Sequence, residues 1–171
     1  MNALLEKYSP EVAAILAKYP ADQKRSAVMP LLYVAQREKM FVAQEDMAAV
    51  AEILGITATD VASIVGYYTL YYDQPGGKFR VQVCTDLPCA LRGADGFMAG
   101  LCERLGLADH GGAADGGQLV VEPVMCLAAC DKAPMFQIQN GYGLFYYENQ
   151  TVESAMRAIE GFKAKAIGEA G

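Results

Sequence analysis

The chain opens with apolar residues three and four positions apart, which is the period of amphipathic helices. A first helix is predicted to begin at Ser9-Pro10, because a serine cap followed by proline suits a helix start, and to end near Pro20. A second helix is predicted to begin after Asp22 and to run to about Glu38, with Pro30 kinking or restarting it.

Two further helices follow, with clearer local signals at their ends. The pattern predicts a third helix over residues 44–54 that ends at Gly55, since glycine readily adopts the left-handed conformation after a helix. Thr57 and Asp60 have the spacing of a capping box and predict the start of a fourth helix. Residues 1–74 are therefore predicted to form a small helical bundle.

Tyrosines are concentrated at the end of this bundle, as Tyr67-Tyr68 and Tyr71-Tyr72. A tyrosine combines a large apolar ring with a polar hydroxyl, so such a group is typical of a core or an interface. The bundle is also rich in apolar residues for its size, and we expect it to dock onto a partner protein.

The period changes after residues 75–77 (Pro-Gly-Gly), whose composition is typical of a linker. From Phe79 onwards apolar and polar residues alternate, which predicts a strand. A helix with one apolar face is predicted after Cys89, and Cys102 lies on that face, where we expect it to serve packing only. The apolar face comprises Leu91, Met98, Leu101 and Leu105.

The remaining elements complete a second domain over residues 75–171. Thr151 is expected to cap its last helix, and the glycine-rich residues 110–117 are expected to be only a connection. The order of elements predicts an α/β sandwich, so the fold class is α+β, a helical bundle followed by an α/β domain. Its further strands are predicted over residues 119–124, 135–139 and 144–147, the last two forming a hairpin around Asn140-Gly141.

Composition and charge exclude several classes of function. The 171 residues carry a net charge of -6 and no basic cluster, which argues against a nucleic-acid surface. No apolar run reaches the roughly 18 residues that span a bilayer, and residues 1–10 lack the pattern of a secretion signal. We therefore expect a cytoplasmic protein with reduced cysteines and no direct membrane insertion. The single histidine, His110, excludes multi-histidine metal sites and is expected to be exposed.

Four of the five cysteines form two pairs, Cys84 with Cys89 and Cys126 with Cys130. Cys84 ends one predicted strand and Cys126 follows another, so both pairs emerge at the same end if the two strands share a sheet. Four thiolates that converge in a reducing compartment favour a metal site, either a tetrahedral zinc ion or an iron-sulfur cluster.

The spacing within the pairs favours an iron-sulfur cluster over zinc but leaves both open. Four residues separate the first pair and three separate the second, whereas structural zinc sites prefer two. A zinc-stapled interaction module is one alternative, and four buried, unligated thiols are the other. The unligated alternative is disfavoured because Pro88 and Asp131 beside these cysteines are unusual core residues.

The two loops are also expected to supply hydrogen bonds to the sulfurs. Candidate donors are the backbone N–H groups of Thr85, Leu87 and residues 127–129, whereas Pro88 has none. A helix that begins after Cys89 would direct its positive end at the metal site. No other group in these loops performs bond-making chemistry, and no dinucleotide fingerprint follows a strand. We therefore expect single-electron transfer, with hydride chemistry left to a partner.

The cysteine motifs, residues 83–93 (VCTDLPCALRG) and 126–135 (CLAACDKAPM), resemble those of the NuoE family, a family of subunits of NADH-quinone oxidoreductase or respiratory complex I. Residues 27–36, 48–55 and 66–70 are similar to the helical N-terminal part of that family. The resemblance implies a thioredoxin-like ferredoxin domain behind a helical bundle, with one [2Fe-2S] cluster. The ligands that it implies are Cys84, Cys89, Cys126 and Cys130.

The resemblance also implies a function. The chain would be an electron-transfer subunit that exchanges single electrons with the flavin of an NADH-binding partner and has no substrate site of its own. FMN and NADH would bind that partner, a neighbouring iron-sulfur subunit would lie beside it, and the assembly would be the peripheral arm of a membrane-bound complex. The same module in an NAD-coupled hydrogenase or formate dehydrogenase is the alternative, because the difference lies in other subunits.

Two positions depart from the pattern Glu-Cys-Leu-Gly-Ala-Cys that the family commonly has at the second pair. Met125 replaces the glutamate and Ala128 replaces the glycine. Neither change touches a ligand. A carboxylate beside an anionic cluster disfavours reduction, so Met125 is expected to raise the reduction potential. Ala128 is expected to narrow the conformations of the loop, because alanine avoids positive φ.

Overall fold

The structure is a computed structural model that describes residues 2–141 and 143–168. It divides into two compact units, which meet in the sequence between Pro75 and Gly76. The first unit contains helices and the second contains a sheet with further helices, so the predicted α+β fold class is confirmed.

The first unit is built around four helices, as predicted. Leu31, Leu32, Val50 and Val61 are fully buried at its centre. A short 3-10 turn, Lys24–Ala27, precedes the second helix. The helices are α1 (Ala3–Leu16), α2 (Val28–Gln36), α3 (Gln44–Leu54) and α4 (Ala58–Tyr67).

The predictions for α3 and α4 are confirmed because local capping signals fix their ends. Gly55 follows α3 in the left-handed conformation at a φ of 66°. At the start of α4 the Thr57 hydroxyl accepts a hydrogen bond from the Asp60 N–H at 3.1 Å. The Asp60 carboxylate accepts in return from the Thr57 N–H at 3.1 Å, which completes the predicted capping box.

Among the described helices, none is by itself long and apolar enough to cross a membrane. The bent pair α3 and α4, with 119° between the two helices, meets that criterion only when both are counted together. The bent pair meets the criterion only by its length and amino-acid composition.

Helix α1 begins earlier than the sequence pattern predicts. The side chain of Asn2 caps it by accepting from the N–H groups of Leu4 and Leu5. The same side chain donates to the Ala49 carbonyl at 2.9 Å, so a contact with α3 supports a start that no local pattern indicates. The predicted start at Ser9-Pro10 is instead a kink, since the preceding residue, Tyr8, leaves helical geometry at φ -126°.

Helix α2 is shorter than the single helix predicted over residues 22–38. It begins at Val28, so Pro30 lies in its first turn, where a missing N–H breaks no bond within the helix. Its last residue, Gln36, donates to the Leu70 carbonyl at 2.8 Å and accepts from the Tyr72 N–H at 3.0 Å. These bonds hold the segment after α4 against α2.

The second unit is a five-stranded sheet with helices against it. The strand order is β2-β3-β1-β4-β5, in which β1 and β3 are parallel and the other neighbours are antiparallel. The strands are β1 (Phe79–Cys84), β2 (Gly112–Ala114), β3 (Leu119–Val124), β4 (Phe136–Asn140) and β5 (Gly143–Tyr147). The helices are α5 (Leu87–Ala90), α6 (Ala94–Leu105) and α7 (Val152–Gly168).

The two faces of the sheet differ in polarity, as the alternation in β1 predicts. Val81 and Val83 lie on the apolar face, which shares a core with Leu101 of α6 and Ile159 of α7. The other face carries a buried polar network. Its side chains are Arg80, Gln82, Glu122 and Gln137, and Gln82 donates to Glu122 at 2.9 Å while it accepts from Gln137 at 2.5 Å.

The hairpin and the final helix are confirmed. Strands β4 and β5 pair around the predicted turn, and the Asn140 side chain accepts from the Gly143 N–H at 3.0 Å. Thr151 caps α7, because its hydroxyl accepts from the Ser154 N–H at 3.2 Å.

The prediction of one helix after Cys89 is wrong in its first part. The segment consists of two helices, α5 and α6, separated by Gly93 at a φ of 92°. Leu91 lies between them and is 80% exposed, so it does not belong to the apolar face formed by Met98 and Leu101. Without Leu91 the face is still continuous, because α6 alone supplies it.

The prediction that residues 110–117 are only a connection is also wrong. The segment contains the edge strand β2, in which Ala113 pairs with Val120 of β3. Three residues of glycine and alanine carry no alternating pattern, so pairing with β3 and not local preference defines this strand. Gly111, which precedes it, has a φ of 89° and passes close to the backbone of β3.

We predict that Gly111→Ala destabilises the fold much more than Gly106→Ala. A Cβ at Gly111 would lie 2.1 Å from the Val121 carbonyl oxygen, in addition to the strain of positive φ. Gly106 also has positive φ, at 68°, but nothing lies within 4 Å of its added Cβ. We expect a loss of about 1 kcal/mol for Gly106→Ala and at least about 2 kcal/mol more for Gly111→Ala. Urea unfolding of both variants measures the difference, and equal losses would contradict the close approach.

Candidate metal centre

Two parallel strands bring the cysteine loops to one edge of the sheet. Strands β1 and β3 are hydrogen-bonded neighbours, and Cys84 at the end of β1 lies opposite Val124 at the end of β3. The Thr85 N–H donates to the Val124 carbonyl at 3.1 Å, which extends the pairing by one residue. Cys126 follows two residues after the end of β3. The prediction that both pairs emerge at the same end of the sheet is confirmed.

The first loop is a short helical turn that buries its cysteine. The Asp86 carboxylate caps α5 by accepting from the Leu87 N–H at 3.0 Å, and the Asp86 carbonyl accepts from the Cys89 N–H at 2.9 Å. Pro88 lies in the first turn of α5, where it needs no donor. Cys84 and Cys89 are each only 1% exposed.

The second loop has an irregular backbone and lies at the surface. Its two sulfurs, Cys126 Sγ and Cys130 Sγ, are 3.9 Å apart. The Ala128 N–H donates to Cys126 Sγ at 3.3 Å. Ala128 has a φ of 60°, so the expectation that alanine would keep the loop out of positive φ is wrong. Cys126 is exposed and Cys130 is partly exposed.

The structure places the four cysteines as two neighbouring pairs. Cys84 and Cys89 share a small apolar cluster with Met135. The charges of Cys126 and Cys130 act on the Cys89 thiol, so the two pairs lie within electrostatic reach of each other. In the part of the chain that the structure describes, no three or more His, Cys, Asp or Glu side chains stand in a ready-made coordination shell.

Burial and the nearness of other thiols favour the neutral form of two of these cysteines. Burial raises the pKa of Cys89 to about 12, with further contributions from Cys84 and from the other cysteines. The pKa of Cys130 is raised by its hydrogen bond to Cys126 and then by burial. Four thiolates so close repel one another, and bound cations relieve that repulsion. The donor set, four sulfurs from two loops, suits an iron-sulfur cluster.

The first pair is buried, although Pro88 within its loop is an unusual core residue. Cys84 and Cys89 are buried because β1 is a central strand and α5 folds back over its end. The fifth cysteine agrees with prediction, since Cys102 is fully buried beside Met98 and Leu101 and serves packing. His110 is exposed, as predicted.

Only part of the predicted hydrogen bonding to sulfur is present. Ala128 donates to a sulfur, but Thr85 and Leu87 donate to oxygen atoms of Val124 and Asp86. The helix expected after Cys89 begins later than predicted, but its first residue, Ala94, is buried in the same small cluster as Cys84 and Cys89. Cys89 lies within the four-residue helix α5, and the longer helix α6 begins only at Ala94.

Three long apolar side chains in or beside these loops are exposed, and no sequence pattern indicates it. Leu87, Leu91 and Met125 are 68%, 80% and 76% exposed. Helical spacing places Leu91 on a buried face, and the other two stand in loops where periodicity carries no information. Long apolar side chains that remain exposed in neighbouring loops are typical of an interaction surface.

Comparison with known proteins identifies the family. Residues 12–163 match the family model described as thioredoxin-like [2Fe-2S] ferredoxin. The chain is 40% identical to the E-type subunit of the NADH-quinone oxidoreductase of Rickettsia bellii over 149 residues, covering 85% of this chain and 84% of that protein. It is 32% identical to the E-type subunit of the Mycobacterium tuberculosis enzyme over 165 residues, covering 92% of this chain and 63% of that protein.

The chain thus spans 63% of the length of the mycobacterial relatives that it matches. Among solved structures, it is similar to a chain of an NAD+-reducing [NiFe]-hydrogenase in the air-oxidized state. The TM-score is 0.64 at 17% identity, covering 81% of this chain and 23% of that chain, which shows a shared fold.

These findings confirm the predicted thioredoxin-like fold and the predicted [2Fe-2S] cofactor. The family model covers both the helical unit and the sheet unit, so the resemblance extends well beyond the cysteine motifs. This chain belongs to the family of thioredoxin-like [2Fe-2S] ferredoxins that includes the E-type subunits of NADH-quinone oxidoreductases.

Proposed function

We propose that this chain is the electron-transfer subunit of an NADH:quinone oxidoreductase, complex I. In this role its [2Fe-2S] cluster exchanges single electrons with the flavin of an NADH-binding partner subunit. The observation that carries the proposal is the pairing of β1 with β3, which delivers two pairs of cysteines to one edge of the sheet. The similarity to the NADH-quinone oxidoreductase relative from Rickettsia bellii over most of the chain supports it.

We propose that all four paired cysteines hold the cluster. Cys84 and Cys89 supply sulfurs from the buried side, and Cys126 and Cys130 supply sulfurs from the surface side. When bound, a [2Fe-2S] cluster accepts and releases one electron at a time. The ligand set is therefore Cys84, Cys89, Cys126 and Cys130.

The protein's own contribution is to hold the two loops in place and to exclude water from one side. The Arg92 side chain donates to the Ala133 carbonyl at 3.4 Å, which connects the segments that follow the two cysteine pairs. The Asn149 N–H donates to the Lys132 carbonyl at 2.7 Å and fixes the second segment to the end of β5. Fixed ligands need little rearrangement when the charge on the site changes.

The two cysteine loops lack groups for hydride chemistry, and this indicates what the partner subunits must supply. Neither loop carries a group for hydride chemistry, so we propose that FMN and NADH bind to the partner subunit. A neighbouring iron-sulfur subunit would receive or supply electrons beside it, and the unit of residues 1–74 would serve docking. Tyr67, which is 79% exposed at the end of α4, supports a docking role for that unit.

The proposed location is the cytoplasmic peripheral arm of a membrane-bound complex. The chain would act as a non-autonomous subunit of an oxidoreductase, without a substrate site of its own and without nucleic-acid binding. The same module in an NAD-coupled hydrogenase or formate dehydrogenase is the second candidate. The likeness to the hydrogenase chain concerns the fold alone, so it does not favour this alternative.

We predict that each of the four substitutions Cys84→Ser, Cys89→Ser, Cys126→Ser and Cys130→Ser lowers the content of iron and acid-labile sulfide. Cys102→Ser is the matched control, because the buried Cys102 packs in the apolar core and should leave the red-brown colour intact. Metal analysis and visible spectra of protein purified without oxygen measure the effect. A colourless chain that contains zinc would support the zinc-stapled alternative. Loss of the cluster in Cys102→Ser would contradict the assignment of Cys102 to packing and of the other four cysteines to the cluster.

We predict that NADH reduces the cluster-loaded chain only in the presence of the flavin-binding subunit. The chain offers no group that takes a hydride, so NADH alone should leave the visible and EPR spectra unchanged. Addition of the flavin subunit from the same source should produce a one-electron EPR signal within the mixing time. Reduction by NADH alone, or no reduction with the partner when dithionite does reduce the cluster, would overturn the proposed role.

We predict that Met125→Glu lowers the midpoint potential of the cluster. The new carboxylate would follow the end of β3 directly before Cys126, where negative charge opposes the added electron. Because Met125 is 76% exposed, water and salt screen the effect. We expect the one-electron equilibrium to change less than tenfold, so the midpoint potential should fall by less than about 59 mV. Met125→Gln is the uncharged control of equal length, and redox titration by EPR compares them. An unchanged or higher potential in Met125→Glu would contradict the argument.

A further inference from the structure

We propose that Ala128 is a positioning residue, whose N–H donates to Cys126 Sγ and thereby favours the reduced form of the site, while its left-handed φ turns the following chain towards Cys130. The inference rests on the proposed function, since it assumes a cluster bound to Cys126. It assigns a role in setting the reduction potential to a residue that supplies no side-chain ligand.

The backbone of Ala128 is in a conformation that alanine avoids. Its φ is 60°, in the left-handed region, where the Cβ crowds the following carbonyl oxygen. The side chain of Ala128 is exposed, so packing of its methyl group does not impose the conformation. Strained backbones of this kind persist where their surroundings determine them, and they are concentrated at functional sites.

The other described residues with positive φ that are not glycine have local reasons for it. Asp115 and Asn149 belong to the two types that tolerate this conformation best. Met40 follows the end of α2, where its N–H donates to the Gln36 carbonyl at 2.8 Å. Ala128 follows no helix and is neither aspartate nor asparagine.

The loop that contains this residue places a backbone donor next to a sulfur. The Ala128 N–H donates to Cys126 Sγ at 3.3 Å, within a loop whose two sulfurs are 3.9 Å apart. The next residue, Ala129, returns to a φ of -127°, and its carbonyl accepts from the Lys132 N–H at 3.0 Å. The chain therefore reverses between the two cysteines, because the left-handed φ of Ala128 turns the residues that follow it while its own N–H stays bonded to Cys126 Sγ.

A hydrogen bond to a cluster sulfur stabilises negative charge on it. Reduction adds one electron, so the donor favours the reduced state more than the oxidised state. Loss of this donor should lower the midpoint potential. Glycine at this position adopts the same φ without strain and should keep the bond. β-branched valine disfavours this φ, so the short loop, held at both cysteines, should rearrange and lose the bond.

The decisive experiment replaces the Ala128 amide by an ester. Lactic acid, introduced by nonsense suppression at position 128 of the full chain, removes the N–H and keeps the methyl group. The same replacement of Ala129 is the matched control, because within the described residues the Ala129 amide donates to no cysteine sulfur. Dithionite, in the presence of mediators, supplies one electron per cluster while EPR and visible spectra follow reduction.

We expect the ester at Ala128 to shift the one-electron equilibrium about tenfold towards the oxidised form, or about 59 mV. The ester at Ala129 and the variant Ala128→Gly should keep the potential of the unaltered chain. Ala128→Val should shift it in the same direction as the ester at Ala128. A normal potential for the Ala128 ester, with full iron and sulfide content, would overturn the inference and leave the proposed function intact.

Two further results distinguish a specific role of the Ala128 amide from a general effect on the loop. Equal shifts for the esters at Ala128 and Ala129 would show a general effect of the backbone change and overturn a specific role for Ala128. Absence of iron in the unaltered chain would overturn the proposed function together with this inference. Iron content and the far-ultraviolet circular dichroism of each variant confirm that only folded, loaded protein is compared.

Discussion

The parallel pairing of β1 with β3 is the constraint on which the site depends. Every other neighbouring pair in the described sheet is antiparallel, and antiparallel strands would send their carboxyl ends to opposite edges. Because these two strands run side by side, Cys84 lies opposite Val124, and the loops that follow them begin next to each other. A parallel connection needs a crossover, which α6 and the edge strand β2 provide between β1 and β3. The metal centre is thus a consequence of topology before it is a consequence of loop sequence.

The two halves of the centre differ in how the fold holds them. Cys84 and Cys89 are almost fully buried and belong to regular elements, so the folded frame fixes their positions. Cys126 is exposed, and its loop is held by individual hydrogen bonds, among them the one from Ala128. The buried half excludes water, and the exposed half leaves a sulfur at the surface. A centre that exchanges electrons with another protein needs both properties, since burial sets its potential and exposure permits contact.

Sequence patterns predicted those parts of the fold that local chemistry determines. The ends of α3 and α4 follow from Gly55 and from the capping box of Thr57 with Asp60, because these residues act within one turn. The patterns failed where a distant contact decides. Asn2 begins α1 through its bond to Ala49. Strand β2 forms because Gly112, Ala113 and Ala114 pair with the edge of β3. At the site, spacing predicted the convergence of the loops, but neither the burial of the first pair nor the left-handed Ala128 has a signature in residue type.

Because the sheet is tightly packed and the loop after β3 is exposed, the reduction potential can vary through loop residues without a change in the sheet. Residues that fix the frame, such as Gly111 against the backbone of β3, cannot change without loss of packing. Met125 and Ala128 lie on an exposed loop and point no bulk into the core, so substitutions there alter charge or amide direction at little cost in stability. The two departures from the common family pattern occur at these two positions. A loop that follows a rigid strand therefore allows the electrochemistry to change while the proposed cysteine ligands stay in place.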